Sequence, residues 1–423
     1  MKLVKLSLVG ILALGSCVYA SDNLAEAFKN GKTMGSLRFV YTTGSDTDAA
    51  AQTRPVDNAN VGSVAVELRY TTDNFYGFQL GLGAQSAHDL GFHDKDAGDG
   101  GVEDDERNSV STTLLSEAYI QYSFLKSDIK VGRQKIKTPL IMSSSAFALE
   151  DSFDAVVLSM NELPDTFVKL IYVQEWQMRY GSDARNTPTQ KDMHFKKGLY
   201  SLFFKNQSIK DLTLDGQYLT TNEEEKIWDA PVFVPAGGYD QYYLQAKYKL
   251  PLDFPLFVAM TYAKANYENP TVASNDDATL YGFKISSEVS GVKLDAAYTT
   301  MDEEANFPGT FGHVPDAVVY TDMLTNNAIF AGIDAYSLGA SYGFGVAGLN
   351  TSLKYAHYDQ SAEGITNAGM DLDDADEVNI DIKYAFSGAL KGLSTRLWAG
   401  YGTYDVSGED DFTYARFYLA YNF

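Results

Sequence analysis

Apolar residues recur at every second position along most of the chain from residue 33 onward. In the last segment, Phe417, Leu419, Tyr421 and Phe423 alternate with polar or small residues. This is the period of a β-strand, whose successive side chains point to opposite faces, and the spacing of three and four residues that is typical of helices is rare. The pattern therefore predicts strands with one apolar face and one polar or small face.

The same pattern predicts eighteen strands along the chain. They are residues 33–43, 61–71, 76–86, 112–124, 128–136, 151–161, 166–177, 197–206, 211–221, 240–250, 255–266, 278–288, 291–301, 333–344, 349–358, 377–386, 392–404 and 412–423. The connectors after even-numbered strands are tight turns, such as 72–75 and 125–127, whereas those after odd-numbered strands are longer and polar, such as 87–111.

An even number of strands, with short turns at one rim and long loops at the other, is typical of a bacterial outer-membrane barrel. Strands of this length also match the tilted span of a bilayer. All eleven prolines fall in connectors or at strand starts, as a closed ladder requires. We therefore expect an all-β fold, a transmembrane antiparallel up-and-down β-barrel of about 18 strands.

Composition excludes several other classes of protein. A formal net charge of -23 disfavours nucleic-acid binding, and a single cysteine excludes a disulfide framework. No Ser/His/Asp constellation with recognisable spacing points to an enzyme, and no cofactor motif emerges. A secreted soluble β protein is the remaining alternative, but it would need internal repeats that the sequence lacks and would leave the turn asymmetry unexplained.

Residues 1–20 have the features of a secretory signal peptide: Lys2 and Lys5 precede an apolar stretch that ends at Val18-Tyr19-Ala20. Cleavage before Cys17, as in a lipoprotein, is the alternative. Residues 21–32 would then form a short periplasmic segment, and residues 33–423 a single barrel without a plug domain.

A barrel of sixteen to eighteen strands encloses an aqueous lumen, so its inward-facing residues can be inferred from strand parity. A guanidinium group facing lipid would cost about 2–4 kcal/mol at the midplane, so arginines within strands should face the lumen. The predicted basic lining residues are Arg38, Arg69, Arg396, Arg416 and Lys383; the acidic lining or constriction residues are Glu67, Glu117, Glu150, Asp151 and Asp381.

The four arginines lie on adjacent strands and are predicted to form one positively charged wall. Two interpretations remain open: the wall guides solutes, or its charges only keep the pore wet. Arg133 does not fit this alternation, because it lies on the same strand face as the apolar Ile129 and Val131. It is expected to lie beyond the lipid zone or to follow a bulge.

Two connectors contain more apolar residues than is usual for loops that are exposed to water. Residues 137–150 and 302–332 both contain several large apolar side chains. They are predicted to fold into the pore and narrow it; packing between subunits is the alternative.

Several segments resemble one family. They are residues 24–32 (LAEAFKNGK), 117–120 (EAYI), 130–134 (KVGRQ), 138–140 (TPL) and the terminal Phe423. In these the chain resembles the OprD-like (Opr family) outer-membrane porins, in particular the epsilonproteobacterial major outer membrane porins. The resemblance implies an eighteen-stranded barrel, often trimeric, that is constricted by its third and seventh loops and lined by a row of arginines.

We therefore expect an outer-membrane porin for passive diffusion of small hydrophilic solutes and ions. Residues 142–147 lack charge, which argues against a narrow preference. The alternative is a substrate-selective channel for carboxylate-bearing molecules, guided by the arginines. Expected partners are the lipid bilayer, lipopolysaccharide, two further copies in a homotrimer, and the barrel-assembly machinery through the strand ending in Phe423.

Two segments resemble known site motifs in their residues, but each lacks the spacing or the structural context that the motif requires. Residues 94–106 are rich in aspartate and glutamate but miss the spacing of a calcium loop, so a solvated acidic loop is expected, with weak divalent-ion binding there or at 371–376 as the alternative. Residues 343–348 (GFGVAG) match a dinucleotide fingerprint, but no helix pattern follows, and a hairpin turn is expected.

Overall fold

The structure is a computed structural model of the full chain. It describes residues 21–45, 60–91, 110–179, 192–221, 238–267, 277–312, 318–321, 323, 327–403 and 411–423. The predicted signal peptide, residues 1–20, and the acidic stretch 94–106 lie outside the described residues.

The described residues form eighteen strands and two short α-helices. The strands are β1 (Lys32–Ser45), β2 (Asn60–Thr71), β3 (Phe78–His88), β4 (Thr112–Phe124), β5 (Ser127–Gln134), β6 (Ser152–Met160), β7 (Thr166–Gln177), β8 (Met193–Asn206), β9 (Leu212–Thr220), β10 (Tyr239–Lys249), β11 (Leu256–Tyr267), β12 (Ala278–Val289), β13 (Val292–Met301), β14 (Ile333–Tyr342), β15 (Leu349–Gln360), β16 (Ala375–Ala385), β17 (Leu393–Thr403) and β18 (Phe412–Asn422). The helices are α1 (Leu24–Lys29) and α2 (Ala362–Ala368), with 3-10 turns at Asn327–Ile329 and Gly388–Leu390.

Each strand pairs antiparallel with its neighbours in the chain, and the sheet closes on itself because β1 pairs with both β2 and β18. Phe39 of β1 lies opposite Leu419 on one side and Val64 on the other. The predicted closed barrel of eighteen antiparallel strands is confirmed. Among the described strands, closure leaves no free sheet edge, as a protein in lipid requires.

Large apolar side chains cover the outer face of the barrel. Leu82, Met260 and Leu338 are each more than half exposed, and each alternates with a buried or polar residue along its strand. This is the alternation expected when one face meets lipid and the other the lumen. In the part of the chain that the structure describes, no helix combines the length and apolar character needed to cross a membrane.

Two long connectors contribute an apolar cluster on the inner face of the sheet. We call the connector between β5 and β6, residues 135–151, loop L3, and the connector between β13 and β14, residues 302–332, loop L7. Leu140 and Ile141 of L3 and Phe311 of L7 are completely buried, together with Trp176 at the end of β7. The described residues of L3 and of L7 thus pack against the inside of the barrel wall.

L3 and L7 join each other through their backbones. The Met142 N–H donates to the Phe311 carbonyl at 2.7 Å, and the Phe311 N–H donates to the Leu140 carbonyl at 3.2 Å. The two loops form a short parallel bridge between Ile141 and Phe311.

Candidate functional site

Inward-facing glutamines attach L3 to the wall at two places. Gln85 of β3 exchanges two hydrogen bonds with the backbone of Glu150, at 2.6 and 3.1 Å. On the other side of the lumen, Gln217 of β9 accepts from the Leu140 N–H at 2.9 Å and donates to the Thr138 hydroxyl at 3.0 Å. A loop inside a barrel must satisfy its backbone polar groups, and buried amide side chains do so here.

A charged network holds the base of L3. The Arg38 guanidinium of β1 donates to the Phe147 carbonyl at 2.7 Å and to the Glu150 carboxylate at 3.1 Å. The Lys135 ammonium, at the other end of L3, lies 2.7 Å from the same carboxylate and 2.5 Å from the Glu67 carboxylate of β2. Ion pairs therefore link both ends of the loop to each other and to the wall.

The network continues along the wall toward β4. Arg69 of β2 lies 3.7 Å from the Glu67 carboxylate and 4.0 Å from the Glu117 carboxylate. Signs alternate from one side chain to the next, so each cation in this part of the wall has a carboxylate beside it. The wall beside L3 is polar, but its opposite charges largely cancel.

The ionisation of Glu150 reflects this network. Burial by itself would raise the pKa of the Glu150 carboxyl, but the neighbouring Lys135 and Arg38 charges outweigh it and hold the pKa below its ordinary value. Glu150 is therefore ionised in neutral and mildly acidic solution.

Arg416 of β18 lies behind L3 and not beside open water. Its guanidinium donates to the Ala146 carbonyl at 3.2 Å and to the hydroxyls of Tyr414 and Tyr418, and it lies 4.3 Å from the centre of the Phe147 ring. Only 4% of the residue is exposed. This differs from the prediction that Arg416 lines the lumen as part of one positively charged wall, because L3 covers the guanidinium.

Arg396 of β17 is paired with a carboxylate of the neighbouring strand. It makes two hydrogen bonds, at 2.7 and 3.0 Å, to Asp381 of β16. The Lys383 ammonium lies 2.8 Å from the same carboxylate, and half of the Lys383 side chain is exposed. One carboxylate thus neutralises one of two cations, and this part of the lumen keeps a positive charge.

Asp151 faces protein and not the channel. Its carboxylate accepts from the Trp176 indole N–H at 3.1 Å and lies 3.7 Å from the Arg179 guanidinium, which stacks on the Phe147 ring at 3.9 Å. The Asp151 side chain is completely buried, so it differs from the predicted lining role. It contributes to the packing behind L3.

The structure thus divides the predicted residues into three sets. Arg38, Arg69, Glu67, Glu117 and Glu150 form one network; Arg396, Lys383 and Asp381 form a second; Arg416 and Asp151 are buried behind L3. Sequence reasoning did not single out Lys135, Gln85 or Gln217. Of these three residues, only Lys135 could have been found from the sequence, because it lies directly beside the apolar stretch of L3.

Lysines dominate the lumen wall from β10 to β15. Lys247 and Lys293 are exposed, and Lys354 donates to the Tyr320 carbonyl of L7 at 3.1 Å. Lys284 is paired with Asp295 at 3.0 Å. This wall faces the lumen away from the anchors of L3 on β1 and β3, and its lysines add to the positive charge of the interior.

Arg133 is accommodated by carboxylates and not by a register slip in its own strand. It donates to Asp154 at 2.7 and 2.8 Å and to Glu175 at 3.0 Å. The register of β5 against β6 is continuous, whereas the shift occurs between β6 and β7, beside Asp154. The extra residue in β7 lets Glu175 meet the guanidinium.

The described residues include no group of three or more His, Cys, Asp or Glu side chains placed to hold a metal ion. The carboxylates of residues 371–376 are engaged locally: Asp373 accepts from the Gln360 N–H at 3.0 Å, and Asp376 accepts from the Tyr355 hydroxyl at 2.5 Å.

Comparisons with known proteins agree with this architecture. Three crystal structures from Pseudomonas aeruginosa superpose on the barrel. OccK11 (OpdR) has a TM-score of 0.70 and 17% identity, covering 94% of this chain and 97% of its own. OccK8 (OprE) has a TM-score of 0.72 and 14% identity, covering 94% and 99%. OccK2 (OpdF), solved in complex with glucuronate, has a TM-score of 0.71 and 16% identity, covering 93% and 98%.

At these identities the structural matches establish the fold alone. A search of curated proteins gives no significant match. The sequence profile described as outer membrane porin, OprD family, matches residues 28–423, which is nearly the whole chain. The chain therefore belongs to the OprD family and is a porin of the bacterial outer membrane.

Proposed function

We propose that this porin passes small hydrophilic solutes and ions by passive diffusion, without catalysis, through a water-filled lumen that L3 and L7 narrow. The observation that carries this proposal is the solvent exposure of charged side chains inside a closed barrel. Lys383 and Arg69 point into the lumen, and their side chains are 51% and 36% exposed. Charges in such positions are stable only when water reaches them.

We propose low solute specificity. The guanidinium groups of Arg38, Arg396 and Arg416 already donate to protein carboxylates or carbonyls. A solute carboxylate would have to displace those partners. The arrangement therefore favours general diffusion over guidance by the predicted row of four arginines.

We propose that the interior prefers anions to cations. The network beside L3 is balanced, whereas on the rest of the wall Lys247, Lys293 and Lys383, with Lys284, Lys354 and Arg396, outnumber by one the carboxylates Asp215, Glu288, Asp295, Glu377 and Asp381. A net charge along a narrow pore concentrates ions of the opposite sign. The same lysines support a second candidate, a preference for small carboxylates. OccK2 (OpdF), which shares the fold, was solved with glucuronate.

Liposome swelling separates these candidates. The purified porin should admit neutral sugars up to a size limit and should admit a carboxylate sugar of similar size only modestly faster. Changing Lys247 and Lys293 together to Gln should remove that difference. A carboxylate rate that saturates, with neutral sugars excluded, would instead support the selective channel.

We also propose that residues 1–20 are removed during export and that the mature chain forms a homotrimer surrounded by lipopolysaccharide. We propose that the barrel-assembly machinery recognises the last strand. The backbone of the terminal Phe423 pairs with Gly35 of β1 at 2.9 and 3.0 Å, so the final residue is part of barrel closure. Mass spectrometry of the purified protein, denatured and native, tests the cleavage site and the subunit number.

A further inference from the structure

The segment that leads into β1, residues 21–31, is fixed to the short turn between β2 and β3. The Ser21 N–H donates to the Asn74 carbonyl at 3.0 Å, and the Ser21 hydroxyl donates to the Asp73 carboxylate at 3.0 Å. The Asp73 N–H in turn donates to the Ala27 carbonyl of α1 at 2.9 Å. The turn thus holds both the start of the segment and its helix, at the rim that faces the periplasm in outer-membrane barrels.

The end of α1 is held by β2. The Tyr70 hydroxyl donates to the Phe28 carbonyl, and the Tyr70 ring lies against Gly31, where it leaves no room for a side chain. Strand β1 begins at the next residue, Lys32, and pairs with β18 where the barrel closes. The placement of this segment therefore affects the strand at which the barrel closes.

The Asp73 carboxylate lacks a charged partner among the described residues. It takes part in no ion pair there, and its side chain accepts only from the Ser21 hydroxyl. A hydrogen bond to a carboxylate is considerably stronger when the donor is also charged. The turn therefore presents an anion that a positively charged donor beside Ser21 would complete.

Ser21 is the residue that directly follows the predicted cleavage site at Ala20. Hydrolysis of the Ala20–Ser21 amide leaves a carboxylate on Ala20 and an amine on Ser21, which takes up protons and is an ammonium below about pH 8. The nitrogen and the hydroxyl oxygen of one serine are three bonds apart, so this ammonium lies within about 6 Å of the Asp73 carboxylate. Cleavage before Cys17 would leave the same nitrogen as an uncharged amide.

We propose that cleavage after Ala20 creates an ammonium that pairs with Asp73, so that removal of the signal peptide itself locks α1 onto the barrel. The ammonium has three N–H donors: one continues to serve the Asn74 carbonyl, and the other two are available to the carboxylate. This inference rests on the proposed removal of residues 1–20. It adds the reason why cleavage falls at this bond and a structural role for the new N-terminus.

Mass spectrometry of the exported protein first locates the cleavage. A chain that begins at Ser21 is expected, and a lipidated chain that begins at Cys17 would overturn both this inference and the proposed removal of residues 1–20. Two refolded forms of the mature chain are then compared, one that begins at Ser21 and one with a single additional alanine before it. The added residue turns the ammonium into an amide and leaves every side chain in place.

Both forms are prepared with the natural sequence, with Asp73→Asn and with Asp22→Asn. The last is the matched control, because Asp22 is an exposed neighbour of the same charge. Hydrogen–deuterium exchange of the α1 amides is the readout. The added alanine should speed exchange several-fold in the natural sequence and in Asp22→Asn, and should have almost no effect in Asp73→Asn.

A chain that starts at Ser21 but shows the same effect of the added alanine in all three backgrounds, or none in any, would overturn the ion pair and leave the cleavage site standing. Should Asp73→Asn fail to refold, Asp73→Ser supplies the uncharged background. Exchange that the added alanine leaves unchanged in the natural sequence would overturn the ion pair without either variant.

Discussion

The Lys135 ammonium and the Glu150 carboxylate lie 2.7 Å apart and join the two ends of loop L3. Arg38 and Glu67 connect this pair to β1 and β2. The position of L3, the loop that we propose narrows the pore, therefore depends on a few ion pairs that are largely shielded from water.

Glu150→Gln should loosen L3. The change leaves Arg38 and Lys135 close together without the carboxylate between them, and losing one partner of a shielded charge pair typically costs about 1–3 kcal/mol. Single channels should show a larger mean conductance and more current noise.

Asp295→Asn is the matched control for that experiment. It also removes one lumenal carboxylate that is paired with a lysine, but Asp295 is on β13 and contacts Lys284 of the wall. Both variants should increase anion preference, and only Glu150→Gln should increase noise. Equal noise in the two variants would show that Glu150 does not hold the loop.

Gly312→Ala should separate L7 from L3. Gly312 has a φ of 99°, and an added Cβ would lie 1.7 Å from the Met142 carbonyl oxygen. The left-handed backbone costs an alanine about 1–2 kcal/mol, and the contact with backbone adds to it. Gly345→Ala is the control, because Gly345 has a φ of 69° and open space around it.

The melting temperature in detergent should fall more for Gly312→Ala than for Gly345→Ala, and only the former should change conductance. If both variants lose the same stability, the bridge between the loops contributes nothing measurable.

Arg416→Gln should destabilise the barrel, because the guanidinium supports Ala146 of L3 and two tyrosine hydroxyls. We expect a loss of about 1–3 kcal/mol. Arg69→Gln, which changes a more exposed side chain, should lose less than about 1 kcal/mol. Thermal unfolding of the two variants gives the comparison, and a reversed order would place Arg416 in open water.

Asp302, at the start of L7, should make stability depend on pH. Burial, with a further contribution from Glu304, raises the pKa of the Asp302 carboxyl from its ordinary 3.8 to about 6. The folded state therefore favours the protonated form, and the stabilisation that this group gives below pH 4 is lost as the pH rises through 6.

Asp302→Asn should consequently be more stable than the natural protein at pH 8, with a difference that shrinks toward pH 4. Thermal unfolding at several pH values measures this. A difference that is the same at every pH would contradict the raised pKa.

The periodicity of the sequence was sufficient to predict the barrel because each strand has one face in lipid and one in the lumen. The predicted strand 166–177 coincides with β7. The prediction failed in segments that do not lie between lipid and lumen. Strand β8 begins at Met193, before Gly198 with its φ of 86°. Helix α2 lies within a polar connector.

Parity along a strand also predicted which charges point inward, but it could not predict what covers them. The alternation along their strands places both Arg416 and Arg69 on the lumen face. Only the path of L3 determines that Arg416 is buried and that Arg69 is more exposed. That path depends on contacts between distant residues, such as Leu140 with Gln217, which no local pattern contains.

Single-channel recording in a planar bilayer, with different salt concentrations on the two sides, tests the central claim most directly. The purified porin should insert in discrete steps of ohmic current, and its reversal potential should show a preference for chloride. A bilayer that stays electrically silent after the folded protein is added would contradict the account of an open, water-filled barrel.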